Sequence, residues 1–161
     1  MSFETNEAYT TRLQSVDELE KYIGKELGLS PWLTITQERI DTFARVTDDE
    51  QWIHTDPERA QRESPYKTTI AHGFLVLSLA SRFSSETFSI AGIKMGVNYG
   101  LDRVRFMNAT PVGARLRGRV SLMSFEQKKP GVVRYKMKVV FEIEGEEKPA
   151  CVAEFIAMAY A

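Results

Sequence analysis

The chain has 161 residues, of which 43% are hydrophobic and 27% charged, and its formal net charge is -1. That length suits one domain with one core, and the balance argues against disorder and against an electrostatic grip on nucleic acid. No stretch approaches the roughly 20 apolar residues needed to span a bilayer, and the opening MSFETNEAYT lacks the layout of a secretion signal, so a cytoplasmic protein without a membrane partner is expected.

Ser15 and Glu18 have the spacing of a capping box, and Leu19, Tyr22, Ile23 and Leu27 recur at helical intervals before Gly28. An amphipathic helix over 16–27 is therefore predicted, within a helical N-terminal extension of about residues 1–30. A short extended piece runs from Trp32 to Ile35. Thr36 then caps a second helix whose Ile40, Phe43, Ala44 and Val46 share a face and which ends near Thr47, Asp48 and Asp49. Residues 50–55 read as irregular. Asp56 and Pro57 have the order of a cap and a first-turn proline, opening a small helix that Pro65 ends.

From Gly73 to Phe83 the chain is apolar on nearly every side, which suits a helix buried at the centre of the domain. After Gly92 the pattern turns to strands. Val133, Tyr135, Met137, Val139, Phe141 and Ile143 alternate with mainly charged residues, the period of a strand with one wet face. Pro130 and Gly131 fit the centre of a type II turn from the preceding run 114–125, and Gly145 opens another turn before a last strand from Pro149 to about Tyr160. No repeat or linker divides the chain. An α+β domain follows, an antiparallel sheet wrapped around one buried helix, with unpaired sheet edges that a dimer would cover.

Few residues could carry chemistry. Asp49 precedes His54 by five positions across a loop that can curl both toward one water, as an acid and base pair requires. Asp48, next to Asp49, would raise one carboxyl pKa by like charge. The same spacing also fits a plain helix end followed by a surface histidine. His72 and Gly73 stand at the mouth of the buried helix, where a free backbone N–H can polarise a carbonyl oxygen; a simple helix entry fits equally well. His54, Asp56 and His72 offer too few ligands for a metal, and no zinc or P-loop motif occurs. Arg115, Arg117 and Arg119 share a strand face, read as solvated in preference to a site for coenzyme phosphates. Cys151, in an apolar run, is expected to be a buried thiol.

Three segments in order, VTDDEQWIHTDPERA, TIAHGFLVLSLASRF and MGVNYGLDRVRF, together resemble the MaoC-like dehydratases, most closely the branch of nodulation protein N, from about Trp32 to the last strand. The resemblance implies a hot-dog fold, a homodimer, and R-specific hydration of trans-2-enoyl thioesters or the reverse dehydration. It places the catalytic pair on Asp49 and His54. It places the thioester oxygen at the Gly73 N–H beside His72, and it puts Asn98 and Tyr99 along the acyl or pantetheine path. No bound cofactor is implied, since coenzyme A or an acyl carrier arrives with the substrate. Gln51 and Trp52 match the nodulation branch, whereas Asp48 stands where both patterns have glycine. A hot-dog thioesterase and a non-catalytic acyl-thioester binding protein are the alternatives.

Overall fold

The structure, a computed structural model, describes residues 6–161. An antiparallel meander forms its frame: β5 (Met95–Phe106), β6 (Arg115–Lys129), β7 (Val132–Ile143) and β8 (Cys151–Tyr160), with β8 between β7 and β5. Three shorter strands, β1 (Tyr9–Leu13), β2 (Glu26–Leu29) and β4 (Phe88–Ile90), extend the sheet in the order β4-β1-β2-β6-β7-β8-β5, and β3 (Leu33–Thr34) also pairs with β6. The alternation read in residues 132–143 is the real one. Val133, Tyr135, Met137, Val139, Phe141 and Ile143 all point into the core, and Gly131 takes φ 75° in the turn before them, as the third residue of a type II turn does.

The concave face of the sheet holds a helix broken in two, α4 (Gly73–Ser78) and α5 (Ala80–Thr87), joined at Leu79 in right-handed helical geometry. Leu75, Val76, Leu79, Ala80 and Phe83 are buried against Val120, Leu122, Val139 and Phe141. The predicted central helix is therefore present, although its buried stripe is narrower than the sequence suggested because Phe74 faces outward.

The N-terminal region departs from expectation. Residues 16–22 form a single 3₁₀ segment, residues 26–29 are strand β2, and β1 precedes both, so the expected helical extension is mainly a sheet margin; residues 1–5 of that extension lie outside the described residues. Ser15 makes no capping bond; Glu18 instead accepts from the Gln14 N–H at 2.7 Å. Pairing of β2 with β1 and β6 buries Leu27 and Leu29 completely, which outweighs local helical spacing. Gly28 does not end a helix. It lets β2 run so close to Thr87 that an added Cβ would lie 2.3 Å from its carbonyl oxygen.

The arginine face of β6 is solvated at Arg115 and largely covered at Arg117 and Arg119. Arg117 bonds Glu142 at 3.2 Å beneath the Trp32 ring, Arg119 bridges Glu26 and Glu142 at 3.0 and 3.2 Å, and Arg115 pairs with Glu144. Those guanidiniums are committed to carboxylates of neighbouring strands. Cys151 is fully buried, and desolvation pushes its thiol up to about 11. Among the described residues, no helix is long and apolar enough to cross a membrane.

Candidate active site

The site is built where α1 (Gln37–Thr47) ends. Thr36 caps α1 by accepting from the Arg39 N–H at 3.2 Å, and Ile40 and Ala44 are buried along its inner face. At its other end Asp48 adopts φ 59°, the left-handed conformation that closes many helices. Glycine takes that geometry without strain, and Asp is one of the few other residues that tolerate it. The departure at position 48 thus has a conformational reason: Asp48 turns the chain so that Asp49 leaves the helix axis.

Residues 52–55, read as irregular, make one helical turn, α2 (Trp52–Thr55), and Asp56 caps α3 (Pro57–Glu63) by accepting from the Arg59 N–H at 3.0 Å. Gln51 starts α2, its carbonyl accepting from the His54 N–H at 2.9 Å, while the Trp52 ring carries the Arg59 guanidinium 4.4 Å above it. Both residues shape the wall that presents His54.

Four consecutive residues, 69–72, hold the chemistry in place. His54 Nδ1 lies 2.6 Å from the Ile70 carbonyl oxygen, and because that oxygen only accepts, Nδ1 carries the proton and Nε2 keeps its lone pair. The His54 carbonyl accepts from Gln37 Nε2 at 2.7 Å, and Gln37 in turn accepts from the Thr69 hydroxyl at 2.5 Å. His72 Nε2 lies 2.9 Å from the Asp49 carbonyl oxygen and donates to it, and the rings of His54 and His72 stack with centroids 3.8 Å apart. Gln37 and Thr69 had no signal in the sequence beyond being polar residues near buried positions.

His54 is only 6% exposed, whereas the Asp49 side chain is 51% exposed. Desolvation is the largest influence on His54 and lowers its pKa below the usual 6.5; the neighbouring His72 pushes the same way, and the Ile70 carbonyl and Asp49 oppose. The result is a neutral imidazole base beside a carboxylate open to solvent.

One ligand atom from each of Asp49, His54 and His72 lies within 4.8 Å of the others. The sequence had grouped the histidines with Asp56; the fold groups them with Asp49. His72 Nε2 and His54 Nδ1 are engaged with carbonyl oxygens, which leaves the Asp49 carboxylate, His54 Nε2 and His72 Nδ1 as uncommitted polar atoms. A separation of at most 4.8 Å between an Asp49 carboxylate oxygen and a His54 ring nitrogen fits a bridging water, since two hydrogen bonds of about 2.8 Å span such a gap.

Gly73 begins α4, whose first intrahelical bond runs from Val76 N to His72 O, and an added Cβ would meet the Phe106 ring at 3.1 Å. It borders a cavity of about 290 Å³ lined also by Ile70, Ala71, Val76, Phe106 and Thr110. Asn98 and Tyr99 are elsewhere. They lie eight and seven residues before Phe106 on β5, roughly 25 Å back along the strand. Asn98 lines a separate cavity of about 320 Å³ with Ser84, Val97, Tyr135 and Phe155, and Tyr99 is exposed beneath Arg134. Within one chain the fold brings Asp49, His54, His72 and Gly73 together with Gln51 and Trp52, and leaves Asn98 and Tyr99 apart.

The chain is 46% identical over 143 residues to 3-hydroxyacyl-thioester dehydratase Z of Mycobacterium tuberculosis, covering 89% of this chain and 94% of that protein. It is 46% identical over 145 residues to nodulation protein N of Rhizobium leguminosarum bv. viciae, covering 89% and 90%. In structure it resembles R-hydratase PhaJ1 from Pseudomonas aeruginosa, with a TM-score of 0.69 at 22% identity over 92% of this chain and 88% of that one, which shows a shared hot-dog fold. The model of the MaoC like domain matches residues 18–142, and on that match and these relatives the chain belongs to the MaoC-like family of hydratases and dehydratases, which are hydro-lyases.

Proposed function

We propose that this protein adds water to trans-2-enoyl thioesters to give (R)-3-hydroxyacyl thioesters, and runs the reverse dehydration, with coenzyme A or an acyl carrier as the thiol. The observation that carries the reading is the distance of at most 4.8 Å between the Asp49 carboxylate and a His54 ring nitrogen, with the His54 proton parked on the side facing Ile70. A water held between the two loses a proton to one of them as its oxygen attacks C3. The group so protonated delivers that proton to C2, and the pair ends as it began. Negative charge gathers on the thioester oxygen meanwhile, and the N–H of Gly73, ahead of the first intrahelical bond of α4, is the donor placed to receive it. No resident cofactor enters this scheme.

A homodimer fits the same reading. β5 is an edge strand, and Met95, Val97, Tyr99, Leu101 and Phe106 on it are exposed, an apolar border that a second copy would cover. Phe106 adjoins Gly73, so a partner seated there would also wall the cavity and exclude water from it.

The test is loss of enoyl absorbance from crotonyl-coenzyme A on addition of the protein, with chiral analysis of the product. Formation of the (R)-3-hydroxy thioester, falling by a factor of about 10² to 10⁴ in Asp49→Asn, supports the proposal. Release of free thiol would indicate thioesterase chemistry, and binding without turnover would indicate a carrier; either outcome rejects hydration. Light scattering should give twice the 18.3 kDa chain mass at micromolar concentration.

A further inference from the structure

His72 is placed behind the reacting groups and not among them. Its side chain is 3% exposed, its Nδ1 is buried with no partner among the described residues, and its single polar bond is the one from Nε2 to the Asp49 carbonyl. One ring face stacks on His54 at 3.8 Å and 24°, and the Phe43 ring is 4.9 Å from it. We propose that His72 is a positioning residue that couples acid to base, its Nε2–H holding the backbone of Asp49 while its ring holds the imidazole of His54. The inference rests on the hydration reading of this site.

Residues 69–72 bond the His54 segment through Ile70 N and Ile53 O at 3.1 Å and are anchored on their other side as well. Ala71 N donates to Thr110 O at 2.8 Å, Val112 N donates to Thr69 O at 3.0 Å, and Ile70 bridges Pro111, so the tetrapeptide is riveted to the segment leading into β6. From that base Ile70 O sets the ring of His54 and His72 sets the loop of Asp49. The rest of the loop is tied through Glu50 O, which accepts from the Thr55 hydroxyl at 3.1 Å, and Gln51 O, which accepts from the His54 N–H at 2.9 Å, whereas the Asp49 carboxylate is half exposed and lies 4.0 Å from His72 Nε2. Without the Nε2–H donor, Asp49 keeps its chemistry and loses its place, and a misplacement of about 1 Å can cost about a hundredfold in rate.

Two substitutions separate the donor from the ring. His72→Gln retains an N–H₂ near the position of Nε2, while His72→Phe retains a ring that can stack and has no donor. In hydration of crotonyl-coenzyme A, His72→Phe should lower kcat by about tenfold to a hundredfold with KM within about threefold of wild type, and His72→Gln should recover most of the loss. Wild-type kcat in His72→Phe, a loss confined to KM, or an equal fall in both variants would overturn the proposal; if His72→Phe does not fold, His72→Met takes its place as the donorless variant. Nitrogen-15 imidazole spectra of the wild type supply a readout independent of turnover, with the His72 proton expected on Nε2 and the His54 proton on Nδ1; a His72 proton on Nδ1 rejects the coupling. Should the wild type show no hydration, the functional reading fails and backbone amide exchange of residues 49–51 decides the inference. Exchange about tenfold faster in the donorless variant and restored in His72→Gln upholds it, and unchanged exchange rejects it.

Discussion

His54 Nδ1 and the carbonyl oxygen of Ile70 are 2.6 Å apart, and this bond leaves Nε2 as the imidazole nitrogen with a free lone pair. Burial, which outweighs the opposing pull of that bond, makes His54 a stability sensor. Burial lowers its pKa in the folded chain, so the unfolded chain binds a proton more readily. Stability then rises with pH through the interval between the lowered value and the usual 6.5, and this contribution is fully present above it. Thermal midpoints measured from roughly pH 5 to 8 should fall on the acid side for the wild type, and less steeply for His54→Gln. Equal slopes in the two proteins would show that His54 titrates alike folded and unfolded.

In the proposed mechanism Asp49 and His54 act on one water, so their losses should not add. Asp49→Asn and His54→Gln each conserve volume, and each should lower kcat for crotonyl-coenzyme A by a factor of about 10² to 10⁴. The double variant should be little slower than the poorer single one, because removing one half of a unit already disables the other. Multiplicative losses measured under saturating substrate would mean that the groups work in separate steps.

Asp48 tests the conformational account of the αL helix end. Asp48→Gly relieves the φ 59° geometry while loosening the unfolded chain, so it should change stability by less than about 1 kcal/mol and leave turnover within a few fold. A β-branched side chain has no such tolerance, and Asp48→Val should cost on the order of 1–2 kcal/mol in urea denaturation. A harmless Asp48→Val would remove the conformational reason for this residue.

At the centre of the core, Gly118 of β6 faces Phe83 of α5. An added Cβ would stand 2.5 Å from the Phe83 Cβ, closer than nonbonded carbons come, and Phe83 is fully buried against Phe141 and cannot step aside. Gly118→Ala should therefore cost about 1–3 kcal/mol through displacement of the helix. Combining it with Phe83→Leu should cost less than the sum of the single changes, as residues sharing one space do. Strict additivity in chemical denaturation would place the two apart.

Several parts of this protein are legible in its sequence because they depend on nearest neighbours. Thr36 and Asp56 cap the helices they precede, the alternation from Val133 to Ile143 faces the core, and Gly131 sits in the turn after Pro130. The family segments likewise led to Asp49, His54 and Gly73. The N-terminal region was misread for the opposite reason: Leu19 and Leu27 have helical spacing, yet the surface that buries Leu27 comes from strands β1 and β6, and β6 is about ninety residues further on. Position 48 is an intermediate case, since the sequence shows a charge where the family has glycine and only the backbone angle shows why Asp can stand there.

The sequence by itself indicated the long strands β6, β7 and β8, the buried helix, and Asp49 and His54 as candidates for the acid and base. Tertiary structure decided how those groups are held. It put Ile70 beside His54 across 16 residues and Asp49 beside His72 across 23, and it set Asn98 and Tyr99 at the far end of β5 from Gly73. The partners that choose the tautomer and hold the loop are main-chain carbonyl oxygens. Every residue carries one, so no side-chain pattern marks the two that matter, and only the folded path of the chain brings them within hydrogen-bond reach.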